Sequence, residues 1–173
     1  MALDPATYRR LAGAFPTGVT VITTLDRDGN PRALTTQSFV GLSTSPPLVL
    51  ISVGKVARTL DVLRQSGRFV VNFLGCGGEG LSQLFASKAD DKFRTVKWRA
   101  SAAAGGAPIL NEHIIGYAEC VTINAIEAGD HFIFIGEVIG GEDLGGRPLL
   151  YFRRQYASWP VPESQPIALQ LPA

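Results

Sequence analysis

Apolar positions along this chain fall into short runs, each stopped by Gly, Pro or Asp. Asp4 to Ala14 has helical spacing, with Asp4 as N-cap and Pro5 at the first helical position. VTVITTL, Val19 to Leu25, alternates and is rich in β-branched residues, which predicts a strand, and DRDGN after it predicts a turn. Arg32 to Leu42 reads as a second extended segment closed by Pro46-Pro47, and Leu48 to Val53 as a short apolar strand. Val56, Leu60 and Leu63 lie at i, i+4 and i+7 of a predicted helix, with Thr59 as a candidate N-cap and Gly67 as its stop. Arg68 to Leu74 predicts a strand, GCGGEG a break, and Leu81 to Ser87 a short helix. Lys88 to Asn111 carries little regular pattern and reads as a long excursion. HIIGYAECVTINAIEAG and DHFIFIGEVIGGEDL predict two long strands joined near Gly129-Asp130, and Pro148 to Phe152 a last strand. Strands follow strands without regular helical crossovers, so the pattern predicts a mostly β, antiparallel barrel with a few peripheral helices.

Length and composition narrow this further. The 173 residues favour one domain, residues 1–159, followed by a Pro-rich arm, residues 160–173, with four prolines. Hydrophobic residues make up 46% and charged residues 18%, enough for one sizeable core. The net charge is +1 with Lys and Arg scattered, unlike a nucleic-acid binder. No apolar run is long enough to span a bilayer, and the first ten residues lack the apolar stretch of a signal peptide. Cys76 and Cys120 are far apart without a partner pattern, which predicts neither disulfide nor zinc site and makes a reducing cytoplasm the default.

The motifs of nucleophilic, metallopeptidase and P-loop chemistry are absent from the sequence, so an organic cofactor is the expected source of any chemistry. Three features invite a ligand. Thr35, Thr36, Gln37 and Ser38 interrupt apolar strand material on both faces, which fits either a solvated edge or a reader of a planar heterocycle. Lys55, Arg58 and Thr59 crowd a predicted helix start, where basic residues oppose the helix dipole. Solvated surface charges and a bound phosphate both account for them. His131 opens an alternating strand after the Gly129-Asp130 turn, and a lone histidine there, like Tyr151 and Tyr156 in the last strand region, is ordinarily structural. A phosphate at one end and a flat polar-edged ring at the other describe a flavin nucleotide.

The sequence resembles the flavin reductase family of the FMN-binding split barrel. FPTGVTVITT, ALTTQSFVGLSTSPPLVLISV, RTLDVLRQSGRFVVNFL, FASKADDKF, and GDHFIFIGEV followed by PLLYFRRQY match that family's blocks in order, over about Phe15 to Tyr156. The resemblance implies a six-stranded antiparallel Greek-key split barrel, a homodimer, and hydride transfer from NADH or NADPH to FMN or FAD. A partner monooxygenase would use the reduced flavin. It implies further that Thr35 to Ser38 contact the isoalloxazine edge, that Lys55, Arg58 and Thr59 lie near the phosphate, and that Phe85 lies close to the ring. His131 and Tyr151 would position the nicotinamide. Ala33 stands where the family commonly has Gly, and Ala57 where it commonly has Ser. Flavin binding without turnover, and reduction of ferric iron or a corrin, are the alternatives that the same fold suggests.

Overall fold

The computed structural model describes residues 3–159. The Pro-rich arm expected at 160–173 lies outside them. In chain order the elements are α1 (Pro5–Ala12), β1 (Thr17–Gly18), β2 (Thr20–Leu25), β3 (Pro31–Thr36), β4 (Val40–Thr44), β5 (Pro47–Gly54), α2 (Leu60–Ser66), β6 (Arg68–Leu74) and α3 (Glu79–Ala86). A 3₁₀ turn at Lys92–Arg94 leads to β7 (Trp98–Ala100), β8 (Pro108–Leu110), β9 (Ile114–Ala128), β10 (His131–Asp143), β11 (Leu149–Phe152) and β12 (Gln155–Ser158). Asp4 caps α1 as expected, its Oδ1 accepting from the amides of Ala6 and Thr7, both at 3.0 Å.

The main sheet runs β3-β2-β6-β9-β10-β5-β4, with every pairing antiparallel. The two sheet edges, β3 and β4, are consecutive in the chain. The expected single segment over Arg32 to Leu42 is therefore two strands, with a bend at residues 37–39. The sheet curls but does not close through a backbone ladder, so of the six-stranded split barrel that the resemblance implies the structure has the antiparallel, mostly β character, with seven strands in an open main sheet. Hydroxyls bridge the opening. Ser52 N donates to Ser38 Oγ at 2.7 Å, and Ser38 Oγ donates back to Ser52 O at 3.0 Å. Since the Ser38 proton goes to Ser52 O, the contact of 2.8 Å between Thr36 Oγ1 and Ser38 Oγ is donated by Thr36. This clasp ties the end of β3 to the middle of β5.

The core lies inside the curl. Ile22, Ile51, Leu63, Phe69 and Phe134 are fully buried, each worth about 1.5–3 kcal/mol of transfer free energy. Gly136 sits where a β-carbon would come within 2.6 Å of the Phe69 ring, so a glycine is needed at this bulge of β10. Asn72 is the buried polar hub. Its Nδ2 donates to Val21 O and Thr23 Oγ1, and its Oδ1 accepts from Leu110 N. These bonds fasten the 88–111 segment, which is more ordered than its sequence pattern suggests. The β7–β8 ribbon packs there, and buried Glu119 accepts hydrogen bonds from Ser101 Oγ and Ala103 N. Two smaller departures concern the chain ends of elements. Val56 is 98% exposed and precedes α2, so the apolar helix face contains Leu60 and Leu63 only. The last strand is followed by another, β12, pairing through a two-residue turn at Arg153-Arg154. Among the described residues no helix is long and apolar enough to cross a membrane.

Replacing Ser38 by Ala leaves the Ser52 amide without its partner. Chemical denaturation should show a loss of about 1–3 kcal/mol. A change below about 0.5 kcal/mol, the ordinary surface value, would mean the clasp does not hold the opening.

Candidate functional site

The opening of the curl leads into a cavity of about 390 Å³ between β3, β5, α3 and the loop entering α2. Thr35, Thr36, Arg58, Thr59, Phe85 and His131 line it, six of the ten residues singled out from the sequence. Their roles differ from expectation. The polar run does not alternate along one strand, because β3 ends at Thr36. Thr35 and Thr36 face this cavity, whereas Gln37 and Ser38 border a second one, of about 480 Å³, beside Phe15, Phe39 and Phe73. Most of the hydroxyl protons are committed to the scaffold. Thr35 Oγ1 donates to Ser82 O at 2.7 Å, and Thr36 and Ser38 form the clasp.

The loop from Gly54 to Thr59 is a turn and not the first turn of a helix. Ala57 N donates to Gly54 O and Leu60 N to Ala57 O. Thr59 occupies the N-cap position of α2 but makes no capping bond. Instead its buried hydroxyl donates to Ala33 O at 3.1 Å, tying the loop to β3. The predicted clash of cations with a helix dipole therefore does not arise. Lys55 points out of the cavity, ion-paired with Glu127 and 5.9 Å from the Phe132 ring centre. Arg58 stays at the cavity, held by Lys88 O and by Asp90 at 2.8 Å. That pair is exposed and therefore weak.

One cavity residue was missed from the sequence. Lys92, in the 3₁₀ turn, reaches into the cavity with its Nζ donating to Phe85 O at 2.9 Å. Burial, and then the Arg58 guanidinium, hold its ammonium below the ordinary lysine range, against the opposing pull of Asp90. Arg58 and Lys92 face one concavity, whose lining also includes Lys88, and an anion relieves their repulsion. No short motif announces Lys92. The only signal is that FASKADDKF places a lysine seven residues after Phe85.

At the other end stands His131. Its Nδ1 contacts Asp130 Oδ1 at 2.7 Å, so in the neutral ring Nδ1 carries the proton and Nε2 is left as an acceptor. Its ring packs beside Gly54 of β5, with Nε2 3.5 Å from where a β-carbon would stand, an ordinary contact distance. The hydrogen bond from His131, and then its charge, hold the exposed Asp130 carboxyl below the ordinary value. Phe85 is buried beneath the cavity against Phe93, with ring centres 5.1 Å apart. Tyr151 does not reach the cavity. It stacks edge-on against Tyr156, at 5.0 Å, whose hydroxyl contacts Ser82 Oγ at 2.9 Å. A flavin nucleotide fits what is present: an aromatic floor, backbone edges along Thr35–Thr36, and two cations for a phosphate.

A sequence model described as "Flavin reductase like domain" matches residues 12–160. The chain belongs to the flavin reductase family. Among family members, a flavin reductase (NADH) from Kitasatospora aureofaciens is 44% identical over 93% of this chain and 85% of its own length. The reductase subunit of a flavin-dependent monooxygenase from Mycobacterium tuberculosis is 40% identical over 89% of this chain and 82% of its own. In structure, the NADH:FAD oxidoreductase of Streptomyces globisporus, solved with NAD and FAD fragments, superposes with a TM-score of 0.85. It is 35% identical, over 95% of this chain and 99% of the other.

The two cysteines lie apart from the cavity. Burial, followed by the charge of Glu119, pushes the Cys120 thiol up to about 12, while Cys76 is exposed. A thiol-specific disulfide reagent at pH 8 should titrate one thiol in the native protein and two after denaturation. Asp130 supplies a pH test. Its folded value lies below the ordinary 3.8, so the His131 contact stabilises above that pH and is lost as pH falls through the lowered value. Melting temperatures of the native protein and Asp130→Asn should differ at pH 7 and converge in that acid window. A constant difference at all pH values would contradict the pairing.

Proposed function

We propose that the protein is an NAD(P)H-dependent flavin reductase whose reaction takes place in the cavity between Lys92 and His131. The observation that carries this reading is the polarity of that cavity, with two cations at one end and an acceptor nitrogen at the other over an aromatic floor. When bound, a flavin supplies a ring that accepts hydride from a reduced nicotinamide. The chain's own residues hold and orient. Arg58 and Lys92 bind the flavin phosphate, with charge-assisted bonds worth more than neutral ones. Thr59 keeps the loop on β3, so that the backbone of Thr35 and Thr36 meets the ring edge at a fixed distance. Phe85 closes the floor to water. His131, its tautomer set by Asp130, accepts a hydrogen bond from the nicotinamide carboxamide and fixes that ring's orientation. No general acid or base is required, since hydride transfer depends on ring placement.

The names of the relatives support delivery of reduced flavin to a monooxygenase, which we adopt as the role of this chain. A homodimer also belongs to this reading. Tyr8 is 61% exposed, Leu11 65% and Phe15 73%, and α1 buries no residue at all. Ile123 and Ile126 on the β9 arm are exposed as well. A second copy of the chain accounts for these apolar surfaces.

Anaerobic mixing with NADH or NADPH and excess FMN or FAD should bleach the flavin absorbance over many turnovers. Bleaching limited to one equivalent would indicate a flavin-binding protein that passes electrons to another acceptor or none. Lys92→Ala should weaken FMN binding by about tenfold, read by fluorescence titration, and an unchanged affinity would remove Lys92 from the phosphate site. His131→Ala should raise the KM for the nicotinamide nucleotide more than it lowers kcat.

A further inference from the structure

A second concavity is more basic than the first. A groove of about 610 Å³ separates α1 from the β11–β12 turn, lined by Ala6, Arg9 and Arg10, Gly13, and Arg153 and Arg154. It shares no lining residue with the cavity at His131. Arg153 N donates to Gly13 O at 3.1 Å, which fixes the two walls relative to each other. None of the four arginines has a carboxylate partner among the described residues. Arg10 is held by Thr7 Oγ1, and Arg153 lies over the Phe152 ring, 5.1 Å from its centre.

Arg9 and Arg10 have an ordinary reason for their place, since cations favour the last turn of a helix. Arg153 and Arg154 have none. They form the two-residue turn of the β11–β12 hairpin with φ of 47° and 67°. That left-handed pair is the conformation in which Asn-Gly is strongly preferred, and side chains there oppose folding. Two arginines kept at positions that disfavour them, both lining one groove with two more, break a local rule with only the Arg153–Phe152 contact as a packing gain. Such breaks mark functional positions.

We propose that this groove is an anion site that takes a diphosphate. Guanidinium groups converge on it from two opposed walls, which suits a compact ligand with several negative charges. Each planar fork can engage a phosphate bidentately. The anion site itself does not depend on the reductase reading, whereas its assignment to a dinucleotide rests on that reading. Two sources share this chemistry: the ADP half of a dinucleotide used by the enzyme, and a free diphosphate acting as an effector.

The test is calorimetric titration of inorganic pyrophosphate into the full chain at low salt, with Arg153→Asn/Arg154→Gly as the variant. Asn-Gly suits the turn, so the variant should fold and melt roughly 5 °C higher. Wild type should bind pyrophosphate saturably at one site, more weakly as salt rises, and the variant at least about tenfold more weakly. A raised KM for the dinucleotide in the variant assigns the site to the ADP half, while an unchanged KM with lost pyrophosphate binding assigns it to a free diphosphate. Absent saturable binding, or equal binding in the variant, overturns the proposal. So does binding of an oligoglutamate peptide without pyrophosphate, which makes the groove a protein-docking surface.

Discussion

The three-residue link between β3 and β4 constrains everything else. In a flat seven-stranded sheet the outer strands would lie about 29 Å apart, at about 4.8 Å per strand. Here the two outer strands are separated by residues 37–39 alone, which span at most about 15 Å when extended. The sheet must therefore curl until its edges approach. Curling buries Ile22, Phe69 and Phe134 inside, and it brings the free edge of β3 towards the part of β5 beyond Leu50, where β4 no longer pairs with it. Short hydroxyl side chains meet that need, since a single oxygen can both donate and accept across the opening. The Ser38–Ser52 clasp and the Thr36 bond to it are that solution.

The cavity is a consequence of the same geometry. Where β3 and β5 diverge, neither completes the other's ladder, and α3 with the 54–59 loop covers the gap. The hydroxyls nearest the gap are already bonded to Ser82, Ser52 and Ala33, so they hold the walls in place and lend backbone edges to a ligand. Charge has to arrive from outside the sheet, on Arg58 and on Lys92. On the proposed reading this separates structure from recognition: the sheet residues set the shape, and the two peripheral cations attract the ligand.

That separation explains what the sequence disclosed. The strands β2, β5, β6, β9 and β10 were legible because alternation and β-branching are local signals. The Asp4 cap was legible because one side chain and two amides suffice. The bend at 37–39 was not, since it exists only because two distant edges meet, and its polar residues look like one interrupted strand. The β11–β12 turn was hidden because Arg-Arg replaces the expected Asn-Gly. Thr59 looked like a cap by position, but a buried carbonyl of β3, 26 residues earlier, claims its proton. Lys92 was invisible for a related reason: its part depends on a loop fold that carries no periodicity. His131 was singled out only through the family resemblance of Gly-Asp-His, and its tautomer follows from the Asp130 contact, which no local sequence signal predicts.

Charge distribution ties these points to function. The chain as a whole carries +1, so no general field draws anions to it. Within a scattered set of basic residues, two concavities hold local groups, one with Arg58 and Lys92 and one with Arg9, Arg10, Arg153 and Arg154. Low-dielectric walls focus the field of such clusters and raise the local concentration of anionic ligands. Flavin and nicotinamide nucleotides are polyanions, and an enzyme that must admit both has reason to attract them without becoming basic overall. The cost is visible locally, in a lysine whose proton is held less tightly and in a turn built from residues that disfavour it. On the proposed readings a bound phosphate offsets both costs.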